Sequence, residues 1–316
     1  MVSQRTVMIA LGGNALSPKS EAGTITQQFA HTKKSLKGVM HFVRAGYNIC
    51  LTHGNGPQVG AELARNEIAA EKVPPLPLGV LVANTQGAMG YMIQQSLQNA
   101  LYHEDSEREV VSFISQMKVD GNDPAIEKPS KFIGQSHSEE KAKKYMAKYN
   151  WQMQKQEPGV WRRVVPSPIP LYIFNGNSIK HLVDFGTIVI AGGGGGIPAY
   201  NLDDGTLEGL DGVIDKDMTA ALLARIIKAQ EMFIITDVDN IYLNFKQESQ
   251  EVIWETNAKD METWLNEGHF WRGSMEPKIK AALYFLKHHG KEVIITSIEN
   301  IANAIQKQAG TRILKN

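Results

Sequence analysis

An α/β fold, with a mostly parallel sheet covered by helices, follows from two features of the 316-residue chain. Short β-branched runs recur along it: VMIAL (7–11), NICLT (48–52), VVSFISQM (110–117), TIVIA (187–191), MFIIT (232–236) and EVIIT (292–296). Longer segments of helical period separate them. The runs are continuously apolar instead of alternating, which marks strands buried on both faces.

Taken in order, VMIAL stops at Gly12-Gly13-Asn14. Phe29, Leu36, Met40 and Val43 then lie close to one face of a helix that ends at Gly46. NICLT runs into His53-Gly54-Asn55-Gly56-Pro57-Gln58, and the pattern predicts a helix over Gln58–Lys72. After the loop VPPLPLG another helix is expected from about Asn84 to Leu101. VVSFISQM reads as one further strand. From Lys118 to Pro170 the rhythm breaks, and six of the thirteen prolines fall there. Glu139–Tyr149 reads as a polar helix, and Phe132, Trp151 and Trp161 offer apolar anchors, so the stretch is an inserted subdomain protruding from the sheet. Asp184-Phe185-Gly186 spells a protein-kinase triplet, but no HRD loop precedes it, and Gly186 fits the left-handed end of a helix instead. TIVIA leads into five glycines, 192–196. Met218, Leu222 and Ile226 stripe a helix over Met218–Lys228, and a last helix is expected over Ile279–His288.

Composition narrows the function. Lys+Arg and Asp+Glu are equal at 33 each, so no overall field draws in nucleic acid or an anionic membrane. No apolar run approaches the roughly 18 residues that span a bilayer. The N-terminal MVSQRT shows no secretory segment before the first strand, and a cytoplasmic location is expected. Cys50 is the single cysteine, which excludes an internal disulfide; inside an apolar strand it reads as a small buried hydrophobe.

Three strands end at glycines, and glycine lets bare backbone N–H groups approach an anion while the next helix presents its positive end. One glycine joint alone is a weak signal, and the run 192–196 would serve equally as a hinge. Recurrence at three parallel strand ends favours a shared phosphate-handling cleft. Neither a Walker A pattern nor GxGxxG is present. Lys216 stands at a helix start, where a cation is disfavoured unless an anion joins it. The flanking Asp215 and Asp217 hold that lysine or cap the helix, with Asp217 a candidate N-cap. Lys278 occupies a similar first turn after Gly273-Ser274-Met275-Glu276-Pro277, and Thr236-Asp237-Val238-Asp239 follows a buried strand. Two such lysines with glycine donors suit phosphoryl transfer. His288-His289 point different ways on a helix, and no cluster has zinc spacing.

Together ALGGNAL (10–16), THGNGPQVG (52–60), RRVVPSPIP (162–170), IVIAGGGGGIP (188–198), VIDKDMTAALLA (213–224), TDVDNIYLNF (236–245), GHFWRGSMEPKIKAA (268–282) and GTRI (310–313) resemble the amino-acid kinase superfamily, and within it the carbamate kinases. The resemblance implies a three-layer α-β-α sandwich with an eight-stranded, mainly parallel sheet. It implies one domain over 1–316, with an acceptor lobe over 1–205, a protruding subdomain over 118–170 and a nucleotide lobe over 206–316. The implied reaction is ADP + carbamoyl phosphate ⇌ ATP + carbamate, with Mg²⁺ on the nucleotide, in a homodimer serving arginine catabolism by the arginine deiminase route. Gly12, Gly13, Asn14, Gly54 and Asn55 would hold the phosphoryl group and carbamate, with Gly193, Gly194 and Gly195 nearby. Lys216 and Lys278 would neutralise the phosphates, Asp217 would orient them, and Lys131 would reach the carbamoyl phosphate from the subdomain. Thr236, Asp237, Asp239, Tyr242, Met275 and Pro277 would lie near the nucleotide. One stretch departs from the family: its usual NPTKP and GPFY are replaced by Lys128-Pro129-Ser130-Lys131-Phe132 and Gly134-Gln135-Ser136-His137, which alters the subdomain's mouth. An acetylglutamate kinase would need a pocket for a larger acyl acid. A silent sensor would be expected to lose Lys216 or Lys278, and both are present.

Overall fold

The structure, a computed structural model, describes residues 5–17, 21–271 and 273–316. Its centre is an eight-stranded sheet in the order Glu255–Asn257, Thr311–Leu314, Glu292–Ser297, Glu231–Thr236, Thr6–Leu11, Asn48–His53, Ile188–Ile190 and Val110–Ser112. Every neighbouring pair is parallel except Glu292–Ser297 with Thr311–Leu314. The expected sheet is therefore present.

Side-chain alternation splits the apolar residues of each strand between two cores. Met8, Ala10, Cys50, Val189, Met232 and Ile234 face one, packed by the Gly176–Asp184, Lys216–Ile226 and Met275–Lys287 helices. Val7, Ile9, Leu11, Ile49, Leu51, Phe233 and Ile235 face the other, under the Ile25–Arg44 and Leu78–Tyr102 helices. Every residue of Thr6–Leu11 and Asn48–His53 is buried, which is why their sequence reads as one continuous apolar run. Burial pushes the Cys50 thiol up to about 12, in keeping with a packing role. Asp184 closes its helix as expected, with Gly186 left-handed at φ +98.

Three local expectations are corrected. VVSFISQM is two strands: Val110–Ser112 stays in the main sheet, and Gln116–Lys118 joins a four-stranded sheet with Leu207–Gly209, Ile197–Asn201 and Tyr172–Ile173. The chain leaves the main sheet at Ser115 because that residue is held by Gln86 and by the glycine run, both distant in sequence. The helix expected from Asn84 begins at Leu78, whose N–H is accepted by the Asp211 carboxylate at 2.9 Å, a remote cap that the local sequence does not contain. The preceding helix spans Gly56–Ala69, beginning with glycine and proline.

Within the 118–170 stretch, Lys131–His137, Val160–Val165 and Met153–Glu157 form an antiparallel sheet beside the Glu139–Tyr149 helix. Trp151 packs edge-on against Tyr145 at 5.2 Å and beneath the Arg163 guanidinium at 4.3 Å. Ile133 and Val165 join Val59, Leu63 and Leu81 in a small core of their own. Glu67 accepts from Tyr145 Oη at 3.0 Å and faces His137 at 3.7 Å, tying this sheet to the Gly56–Ala69 helix. The sheet thereby stands over the carboxyl ends of the main strands, across a cavity from them.

Candidate active site

Parallel register places the ends of three strands level. Leu11 lies opposite His53 on one side and Ile235 on the other, so Gly12, Gly54 and Thr236 emerge side by side. Gly12 N donates to Ile235 O and Gly54 N to Leu11 O, each at 2.9 Å. The fit is tight enough to demand glycine: a Cβ on Gly12 would stand 2.9 Å from Ile235 O, and one on Gly54 2.8 Å from Gly13 N. A cavity of about 1150 Å³ opens above this joint. Gly12, Gly13, Gly54, Asn55, Gly194, Lys131, Lys216, Asp217 and Lys278 all line it, as do Thr236, Asp237, Tyr242, Met275 and Pro277. Gly193, Gly195 and Asp239 are not part of its wall. The side chain of Asn14 lies outside the described residues.

The glycine run turns here with positive φ at Gly192, Gly194, Gly195 and Gly196. Four buried side chains hold it. Thr52 Oγ1 donates to Gly192 O at 2.8 Å, Ser115 Oγ accepts from Gly192 N at 2.8 Å, Gln86 Nε2 donates to Gly193 O at 3.1 Å, and Thr219 Oγ1 donates to Gly195 O at 2.8 Å. The run is a fixed turn, and the hinge alternative has no support in this bonding. Only Gly194 of the three expected glycines reaches the cavity; none of the three has room for a Cβ, which would meet the His53 ring at Gly193, Asn55 at Gly194 and Ile214 O at Gly195. Asn55 Nδ2 donates to Thr85 Oγ1 at 2.9 Å, which leaves its second N–H for a ligand.

The charged centre sits where two helices begin. Asp215, not Asp217, caps Lys216–Ile226, its carboxylate accepting from Asp217 N at 2.9 Å and Met218 N at 3.2 Å. The reason is that Asp217, only 3% exposed, is drawn inward by both lysines. One of its oxygens accepts from Lys216 Nζ, and the other accepts from Lys278 Nζ at 2.9 Å. Burial alone would push the Asp217 carboxyl up, but the two ammoniums overcome it and hold the group down to about 2. A carboxylate thus gathers two cations at helix starts, and the triad keeps one net positive charge for an anion. Lys131 Nζ approaches from the facing sheet, 3.9 Å from Asp215.

Further cavity residues were not singled out from sequence. Phe245 and Trp271 meet edge-on at 5.8 Å, and the Lys246 ammonium lies 5.0 Å from the Trp271 ring. Their signal was present, since both aromatics fall inside the quoted motifs TDVDNIYLNF and GHFWRGSMEPK. Thr52 and Thr219 likewise fall inside THGNGPQVG and VIDKDMTAALLA, whereas Gln86 and Ser115 lie in none of these motifs. Among the described residues no group of three or more His, Cys, Asp or Glu is arranged to hold a metal ion.

Residues 5–297 match the amino acid kinase family. The chain is 38% identical over 312 residues to a carbamate kinase of Pyrococcus furiosus, covering 98% of this chain and 99% of that one. It is 40% identical over 312 residues to a carbamate kinase-like protein of Escherichia coli, covering 98% of each. The solved structure of carbamate kinase from Giardia lamblia bound to AMP-PNP superposes with a TM-score of 0.94 at 37% identity, each chain covered in full.

His53, 1% exposed beneath the glycine run, gives a pH test of this packing. Burial lowers its pKa from 6.5 to about 4, against the opposing bond between Nδ1 and Gly54 O. The unfolded chain takes up this proton near pH 6.5, whereas the fold refuses it until about pH 4, so stability falls as pH drops through that window. The loss attributable to His53 is about 3 kcal/mol. Chemical denaturation at pH 7 and pH 4.5 should show a clearly shallower pH dependence in His53→Gln; an identical dependence would contradict the buried neutral imidazole.

Proposed function

The chain belongs to the amino acid kinase family, and within it to the carbamate kinases, and from that premise we propose that this phosphotransferase moves a phosphoryl group between carbamoyl phosphate and ADP, releasing carbamate and ATP. The observation that carries the reading is the pair of ammoniums, Lys216 and Lys278, held on one buried carboxylate in the cavity above the level Gly12 and Gly54 joints.

Phosphoryl transfer asks little covalent chemistry of a protein and much positioning and charge. In this reading the backbone N–H groups of Gly13 and Gly194 and the second N–H of Asn55 Nδ2 cradle the phosphoryl oxygens from one side, while Gly12 and Gly54, whose own N–H groups bond within the sheet, let the ligand come close. Lys216 and Lys278 neutralise charge on the transferring group from the other, and Asp217 keeps both ammoniums aimed while leaving the triad one net positive charge. Lys131 engages the carbamoyl phosphate from the facing sheet. The nucleotide occupies the end lined by Thr236, Asp237, Tyr242, Met275 and Pro277, and its base has Phe245 and Trp271 available for stacking. Magnesium would arrive on the nucleotide's own phosphates and shield their charge. Asp215, Asp217 and Asp237 are the carboxylates in the cavity wall among the described residues, the first bonded to the helix cap and the second to the two lysines. Residues 1–205 then serve as the acceptor lobe, 118–170 as its protruding subdomain and 206–316 as the nucleotide lobe. We further assign a homodimer acting in the cytoplasm, within arginine catabolism by the arginine deiminase route. Family resemblance supports that assignment, and among the described residues no helix is long and apolar enough to cross a membrane.

The direct test is ATP formation from ADP, Mg²⁺ and carbamoyl phosphate, with N-acetylglutamate offered as a competing acceptor for ATP. Rapid ATP production supports the proposal; turnover with N-acetylglutamate alone, or none with either, removes it. Lys216→Ala should lower kcat by about 10²–10³, and an unchanged kcat would refute the charge role given to it. Lys131→Ala should raise KM for carbamoyl phosphate more than KM for ADP. Equal changes in both would count against the placement of the acceptor beneath the subdomain.

A further inference from the structure

Two adjacent arginines on the Val160–Val165 strand have opposite surroundings. Arg163 points inward, where Nη2 donates to Asp211 at 2.9 Å and the guanidinium covers Trp151. The strand pleat turns Arg162 the other way, and it lines the cavity. No carboxylate of the described residues lies within ion-pair distance of Arg162, and its Nε is enclosed by protein with no hydrogen-bond partner. A guanidinium is always charged, and an enclosed N–H without an acceptor costs free energy. Its charge, with no carboxylate partner among the described residues, is left for an anion in the cavity that Arg162 lines.

Phe132 sets the aim. It stands opposite Val164 in the register, which makes Arg162 its diagonal neighbour on the same face. The guanidinium carbon lies 5.9 Å from the Phe132 ring centre. Phe132 is one of the residues where this chain departs from the family pattern, so the support under Arg162 is this chain's own. Gly134 has φ +67, and the register with the neighbouring strand shifts between Ile133 and His137, in the segment that carries Gln135 into the same wall. Ile133 packs with Val59 and Leu63 of the Gly56–Ala69 helix, which follows directly from Gly54 and Asn55. The Arg162 wall therefore belongs to the glycine-joint end of the cavity, whereas the nucleotide end is built from residues 236–246 and 269–278.

We propose that Arg162, positioned by Phe132, binds the acceptor acid, its guanidinium fork taking oxygens of carbamoyl phosphate or of the carbamate carboxylate. This rests on the phosphotransfer reading above for the identity of the acid, though not for the presence of an anion site. A planar fork matches a carboxylate or phosphate with two parallel bonds, and a lysine would supply charge without that geometry. Arg162 would add directional recognition to the charge of Lys131.

The test compares wild type with Arg162→Ala, Arg162→Lys, Phe132→Ala and Phe132→Tyr. Two readouts are taken: KM for each substrate in ATP formation, and calorimetric binding of phosphonoacetamide, the non-transferable methylene isostere of carbamoyl phosphate. Arg162→Ala should raise KM for carbamoyl phosphate and weaken phosphonoacetamide about tenfold to a hundredfold, with KM for ADP unchanged. Arg162→Lys should recover only part of this. Phe132→Ala should weaken both acceptor readouts by a smaller factor, and Phe132→Tyr should restore them. Unchanged acceptor KM and unchanged binding in Arg162→Ala would overturn the proposal, as would equal rises in both KM values. If wild type makes no ATP, the phosphotransfer reading fails, and calorimetry with inorganic phosphate decides Arg162. Weaker phosphate binding in Arg162→Ala upholds the anion site, and equal binding removes it.

Discussion

One buried carboxylate organises the centre of this molecule. Two ammonium groups brought to one place repel each other, and each also opposes the positive end of the helix that carries it. Asp217 resolves both conflicts by standing between Lys216, its neighbour in sequence, and Lys278, 61 positions further on. The arrangement ties the Lys216–Ile226 helix to the Met275–Lys287 helix at their N-termini, so cap, charge and packing are settled by the same contact. Its burial is tolerable because the charge is fully paired.

The sheet supplies the other half of the geometry. Parallel pairing in register brings Gly12, Gly54 and Thr236 out at one level, and the glycines let strand ends approach until no Cβ fits. The fourth contributor, the glycine run, is shaped from outside itself. Its carbonyls and one N–H are held by side chains from a strand, a helix, a loop and the charged helix, so an intrinsically permissive sequence becomes a single turn.

Much of this was legible in the chain, for identifiable reasons. A doubly buried strand must be continuously apolar, so VMIAL, NICLT, MFIIT and EVIIT announced themselves, and the glycines after them pointed to the cleft. Lys216 and Lys278 stood out because a cation at a helix start needs an explanation. What escaped were choices made over long sequence distances. Asp215 and Asp217 both fit a cap locally, and only the arrival of Lys278 decides between them. The start of the Leu78–Tyr102 helix depends on Asp211, and the break in VVSFISQM depends on Gln86 and Gly192. Phe245 and Trp271 were visible as residues but not as neighbours, since 26 positions separate them until the fold closes.

The lone thiol of Cys50 has a practical consequence. It lies at the middle of a core strand with no exposed surface, and burial raises it to about 12, far from the thiolate that alkylating reagents require. The native chain is therefore already a silent background for thiol chemistry. A cysteine placed on the outer surface of the Glu139–Tyr149 helix, and another on the Ile25–Arg44 helix, would be the only sites to take a maleimide dye. The separation between subdomain and sandwich would then be readable by energy transfer, molecule by molecule, with no residue removed to prepare for it.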